Sequence, residues 1–167
     1  MPGPTEDYFA YVRWFERHHG ALLLPVDCIE PVDPIFTYTN QYTWEMEWVL
    51  IFTDPKAYVR IMELHAKVAG LYFSRRIRFS YHYGPLPKVD AQGLPEWEPA
   101  DPVFVRIDNS CRPPHLHPEN DPTEHIPQAR IAELVLDQLD LFDFVRATFR
   151  QRQSRKSIAE ELGYRIV

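Results

Sequence analysis

Residues 103–125 hold the side chains best suited to chemistry. The run VFVRIDNS (103–110) reads as a strand and leads into a segment carrying His115, His117 and His125. Arg106 and Asp108 lie two apart, so a strand points both to one face. The prolines that follow predict a His-rich loop over 109–127, neither helix nor central strand, with its imidazoles on coil. Metal-independent cleavage of a phosphodiester needs a base for the attacking hydroxyl, an acid for the leaving oxygen and a cation for the phosphate oxygens. Histidine, with an ordinary pKa of about 6.5, suits the first two roles, and the arginine fork suits the third. His82, His115 and His117 are the acid–base candidates. Arg106 is the central cation, with Arg76, Arg78, Arg112 and Asn109 as substrate contacts, and Asp108 would orient a histidine or fix Arg106. The plainer alternative is a structural Arg106–Asp108 pair on the sheet.

The same histidines admit a second chemistry. His115-x-His117 with His125 eight residues on could hold zinc or another divalent ion, completed by Glu119, Asp121 or Glu124. No other cofactor is expected: phosphate-binding glycine loops, a Gly-x-Ser-x-Gly elbow, Cys-x-x-Cys pairs and a dinucleotide fingerprint are all missing from the sequence. Cys111 beside Arg112 is a weaker candidate nucleophile. His18 and His19 are expected in the last turn of a helix, where the dipole favours them.

The elements that must position these groups follow from periodicity. DYFAYVRWFERHH (7–19) has helical spacing with Gly20 beyond it. WEMEWVLIF (44–52) alternates and predicts a half-buried strand. Residues 58–66 and 71–83 predict two more strands, the second placing Arg76, Arg78, Ser80 and His82 on one face and Ile77, Phe79, Tyr81 and Tyr83 on the other. An excursion over 84–102 is too long for a tight hairpin. Residues 129–153 predict one long amphipathic helix, with Ile131, Leu134, Val135, Gln138, Leu141, Phe142, Val145 and Phe149 on its apolar face. The tail 154–167 is basic and opens with Ser154 or Ser157 as a cap, Glu160 completing a capping box from Ser157.

Tyr81-His82-Tyr83, Arg106-Ile107-Asp108-Asn109 and His115-Leu116-His117-Pro118 occur in an order that resembles the TumE-like toxins of prokaryotic toxin–antitoxin systems. The resemblance covers roughly residues 56–145. It implies a growth-inhibiting protein that acts on RNA and is paired with an antitoxin protein. Two features depart from the pattern: Ser110-Cys111-Arg112-Pro113-Pro114 stands where that family places a histidine pair, and both the N-terminal part and the 84–102 insertion are longer.

Composition sets the outer bounds. The 167 residues carry a net charge of −6, which weighs against broad wrapping by nucleic acid. The last 22 residues reverse the sign, with 6 basic and 2 acidic side chains. Two cysteines and an N-terminus without a basic, apolar leader predict a cytoplasmic protein, and the longest apolar run, 48–52, is too short to span a membrane. The expectation is one α+β domain, an antiparallel sheet of four or five strands over about 35–108 packed by the long C-terminal helix. Its expected function is a toxin-like ribonuclease. The alternatives are a non-catalytic interaction module docking through the C-terminal helix, and a metal-dependent phosphodiesterase built on the histidines.

Overall fold

The computed structural model describes residues 6–29, 33–40, 42–67, 74–110 and 112–167. Leu71, Tyr72 and Phe73, expected to open a strand, and the candidate nucleophile Cys111 lie outside the described residues. The chain is α+β, with a large antiparallel sheet and three helices among the described residues. No helix among them is long and apolar enough to cross a membrane.

Helix α1 spans Glu6–Gly20, with acidic side chains in its first turn and Arg17, His18 and His19 in its last, as the helix dipole favours. Eight strands then form one sheet: β1 (Cys28–Ile29), β2 (Ile35–Asn40), β3 (Thr43–Thr53), β4 (Lys56–Lys67), β5 (Ser74–Pro85), β6 (Val105–Asp108), β7 (His115–His117) and β8 (Ile126–Pro127). The order is β1-β3-β4-β5-β6-β7-β8, with β2 paired to the same side of β3 as β1. The sheet therefore exceeds the expected four or five strands, because Cys28–Ile29 adds β1 and the His-rich segment contributes β7 and β8. The prolines flank rather than interrupt: Pro113, Pro114 and Pro118 bracket the three strand residues, and Pro127 lies on β8 at the end of the sheet, where its missing N–H costs no ladder bond.

Register explains both faces. Trp48, Ile61, Tyr81, Ile107, Leu116 and Ile126 align across six strands, all buried. Helix α2 (Leu141–Gln153) and α1 cover this face: Phe15 meets Trp48 and Phe142, and Tyr81 meets Phe144. On the opposite face Val49, Arg60, His82, Arg106 and His117 align, and beside them Met62, Ser80, Asp108, His115 and Pro127. The 84–102 excursion lies over that face through Trp97, stacked on Arg60 at 4.5 Å.

The long helix predicted over 129–153 is divided. Its first half forms two 3-10 turns, Gln128–Arg130 and Leu136–Gln138, and a two-residue strand, β9 (Ile131–Ala132). The Gln128 side chain bonds the backbone of Ile131, Leu134 and Leu136, and Glu133 takes a left-handed φ of 74°, which no α-helix admits. The true start is Asp140, whose carboxylate accepts the Asp143 N–H and caps α2. The expected capping box is present on α3 (Ile158–Leu162), which ends on Gly163 at φ 78°. The tail is no free helix: Ile158 and Tyr164 are buried, and β10 (Arg165–Ile166) pairs with β9.

Candidate functional site

Pairing of β6 with β7 builds the cluster. Arg106 stands directly opposite His117, and Asp108 directly opposite His115, so each cation or carboxylate meets an imidazole on the same face. Arg106 Nε donates to Asp108 Oδ2 at 3.0 Å, and Nη1 donates to the Pro99 carbonyl at 2.8 Å. Arg106 Nη2 lies 2.9 Å from His117 Nε2 and 3.3 Å from Nδ1, while Asp108 Oδ2 is 3.2 Å from the same Nε2. A neutral imidazole has one N–H and one lone pair. Both neighbours are served when Nε2–H donates to Asp108 and Nδ1 accepts from Arg106.

His115 Nδ1 donates to the Pro113 carbonyl at 2.9 Å, and Nε2 lies 3.4 Å from Asp108 Oδ1. His125 arrives from the loop before β8, its ring stacked on His115 at 4.7 Å and edge-on to His117 at 4.5 Å. His117 is 0% exposed and His115 4%, whereas His125 is exposed. These groups, with Ser80, Trp97 and Thr123, line an open cleft of about 450 Å³.

The electrostatics follow from this packing. Burial alone would raise the Asp108 carboxyl. The hydrogen bond from His117, the Ser110 N–H and the charges of His115 and Arg106 outweigh it and hold the group at about 2. His125 loses its proton more readily than an ordinary histidine, through desolvation and then through the charges of His117, His115 and Arg112. His82 is pushed down to about 3, by burial first and by Arg106, Arg60 and His117 next. It is neutral at any moderate pH.

The other candidate residues separate. His82 shares the face of Arg106 but is 1% exposed and sits under Trp97, whose indole N–H points to its Nδ1 at 3.4 Å. Arg78 is exposed on the same face, outside the cleft lining, and Arg112 is exposed near His125. Asn109 is a clamp on β5: its Oδ1 accepts the Phe79 N–H at 2.8 Å and its Nδ2 donates to the Ile77 carbonyl at 3.2 Å. Arg76 departs from the predicted face. A bulge at Ile77 shifts the register, so Leu64 faces Arg78 but His65 faces Arg76, and the extra residue turns Arg76 to the helix-covered side.

There Arg76 joins a cluster that the periodicity of β4 did not single out. Glu63 accepts from Tyr11 Oη at 2.6 Å, from His65 Nε2 at 2.7 Å, and from Tyr81 Oη, with Arg76 Nη1 3.6 Å away. Arg76 also donates to Tyr81 Oη, to Leu139 O at 2.8 Å and to Asp137 O at 2.6 Å. The one available signal was Glu63-x-His65, a polar pair on the buried side of an otherwise apolar strand.

Three imidazoles could also hold a cation. One ligand atom from each of His115, His117 and His125 falls within 4.8 Å of the others. Tetrahedral zinc with bonds of 2.0–2.1 Å brings its ligands to about 3.3 Å apart, so closure requires rotation of the exposed His125. The His115 Nδ1–H bond to a backbone carbonyl leaves Nε2 as the lone pair, the arrangement typical of a metal-bound histidine.

No family model matches this chain, and no curated protein or solved structure matches it.

Proposed function

We propose that the protein is a toxin-like ribonuclease of a prokaryotic toxin–antitoxin pair, working from the Arg106–His115–His125 cleft. The observation that carries this reading is convergence: a buried guanidinium, a carboxylate at about 2 and three imidazoles meet at one open cleft. Such groups are costly to assemble unless used. The resemblance to TumE-like toxins, on Arg106-Ile107-Asp108-Asn109 and His115-Leu116-His117-Pro118, gives the same reading a biological form.

The roles divide by access. His125, exposed and held neutral by its neighbours, is the base that takes the 2′-hydroxyl proton. The freed oxygen attacks phosphorus, the bond to the 5′-oxygen breaks, and protonated His115 supplies the leaving group's proton. A 2′,3′-cyclic phosphate and a 5′-hydroxyl result. Arg106 faces the phosphate oxygens, and Asp108 and His117 are positioning residues that hold its fork.

The test is expression of the chain with and without His125→Ala, followed by analysis of RNA termini in a purified assay. We expect growth arrest, cyclic-phosphate ends, and a loss of roughly 100-fold or more in cleavage for the variant. Cleavage at the parental rate in His125→Ala, or no cleavage of RNA at all, ends the proposal. The metal alternative, favoured by the His115 Nδ1–carbonyl bond, is decided in the same assay. It requires stoichiometric metal and abolition of cleavage by a chelator; acid–base cleavage survives that treatment.

A further inference from the structure

A second cleft, of about 500 Å³, opens where the linker between α2 and α3 passes the start of β4. Lys56, Arg152, Arg155 and Lys156 line it, together with the hydroxyls of Ser154 and Ser157. Four cations at one cleft stand out in a chain of net charge −6. Lys56, Arg155 and Lys156 are exposed and have no salt-bridge partner among the described residues. Of the two rim carboxylates, Glu160 is already committed to the Ser157 N–H and hydroxyl; Glu119 is the other.

Arg152 is the buried cation of the group. Its side chain is 5% exposed, and its Nη2 is bound to Asp27, Asp54 O and Pro55 O. Its Nε is buried without a hydrogen-bond partner, and its guanidinium rests over the Phe52 ring at 4.3 Å. The lining also includes Pro55, the buried Ala57 and Tyr83, and the half-buried Phe104, whose ring lies 4.9 Å from that of Tyr83. Exposed cations together with a half-buried aromatic ring, at a volume within the usual range for small ligands, match a nucleoside phosphate.

We propose that this cleft binds a nucleotide, its phosphate on Arg155, Lys156 and Lys56 and its base against Phe104. The nucleotide is either free or one unit of an RNA chain. No residue here belongs to the histidine cleft, so loss of the ribonuclease reading leaves this one standing.

Titration calorimetry at low salt tests it, using adenosine monophosphate, adenosine, inorganic phosphate and a 2′-O-methylated octaribonucleotide that resists cleavage. We expect saturable binding of the monophosphate, at least tenfold weaker in the doubly substituted Arg155→Gln, Lys156→Gln protein and lost with rising salt. Amide shifts confined to Phe104, Tyr83 and the 154–157 linker should accompany it. Tighter binding of the octamer than of the monophosphate identifies RNA as the source; equal or weaker binding identifies a free nucleotide. Phosphate binding as tight as the monophosphate removes the base from the proposal. No saturable binding, or unchanged binding in the double variant, overturns it.

Discussion

Strands β4 and β5 bury Glu63, His65 and Tyr81 beneath helices on one face, with Arg76 half-buried beside them; β6 and β7 carry Arg106, Asp108, His115 and His117 beneath loops on the other. Both clusters pair a guanidinium, a carboxylate and imidazole in low exposure. In the first, every Glu63 oxygen is met by a donor, and Arg76 ends on Tyr81 and two carbonyls. The second continues outward: His125 extends it into solvent, its ring packed on His115 and His117. The first cluster also borders a cleft, of about 420 Å³, but its donors and acceptors are matched within it, and such a cluster specifies packing. One that ends in an exposed imidazole at an open cleft retains groups free to engage a substrate.

The sharpest way to break this contrast is to remove the carboxylate of the closed cluster. Glu63→Ala leaves Tyr11, Tyr81, His65 and Arg76 without their common acceptor. Breaking a buried ion pair costs about 3–5 kcal/mol, which in a chain of this size lowers Tm by roughly 10 °C. The exposed counterpart, His125→Ala, is expected to stay within about 0.5 kcal/mol of the parent in denaturant melts, while losing cleavage. Equal stability losses for the two would erase the distinction.

Acid stability sharpens it further. His82 falls from an ordinary 6.5 to about 3 in the fold. Between those values the unfolded chain binds the proton and the folded chain does not, so stability declines as pH drops from about 6.5 toward 3, by up to about 1.4 kcal/mol per pH unit. Asp108, lowered from 3.8 to about 2, contributes stability above pH 4 that is lost as pH falls toward 2. Glu63 is also lowered, burial opposing and the His65 hydrogen bond leading the compensation, so its loss falls in the carboxylate range. His82→Leu should flatten the upper window and leave the lower one intact in urea titrations across pH. An unchanged slope between 6.5 and 4 would assign the acid loss elsewhere.

Much of this was legible in the sequence. The alternation of Trp44 to Phe52 marked β3 and its buried side, the Arg106–Asp108 spacing placed both on one face, and Ser157 with Glu160 marked the start of α3. Four features were not. A bulge at Ile77 leaves no compositional trace, so alternation carried through it assigns Arg76 to the wrong face. Prolines on both sides of His115–His117 read as loop, although three residues suffice to pair with β6. The apolar spacing over 129–153 was continuous, but the Gln128 side chain and the Asp140 cap divide it by hydrogen bonds that periodicity does not encode. The partner of Glu63 lies 52 residues away at Tyr11, beyond any local pattern.

The smallest effect expected concerns the loop lid. Trp97 stacks on Arg60 and covers His82, and an exposed cation–π contact is worth about 0.5–1 kcal/mol. Trp97→Ala should therefore cost on the order of 1 kcal/mol, well below Glu63→Ala, because loops rather than helices close this face. Its more telling consequence is on titration. Burial is the leading cause of the low His82 value, so admitting water should move the imidazole back toward 6.5, visible in ring-proton shifts across pH. If His82 stays near 3 without the indole, the charges of Arg106 and Arg60 are sufficient to hold it there. The lid would then be dispensable to the electrostatics of the cleft, and the open face would resemble the closed one more than its covering suggests.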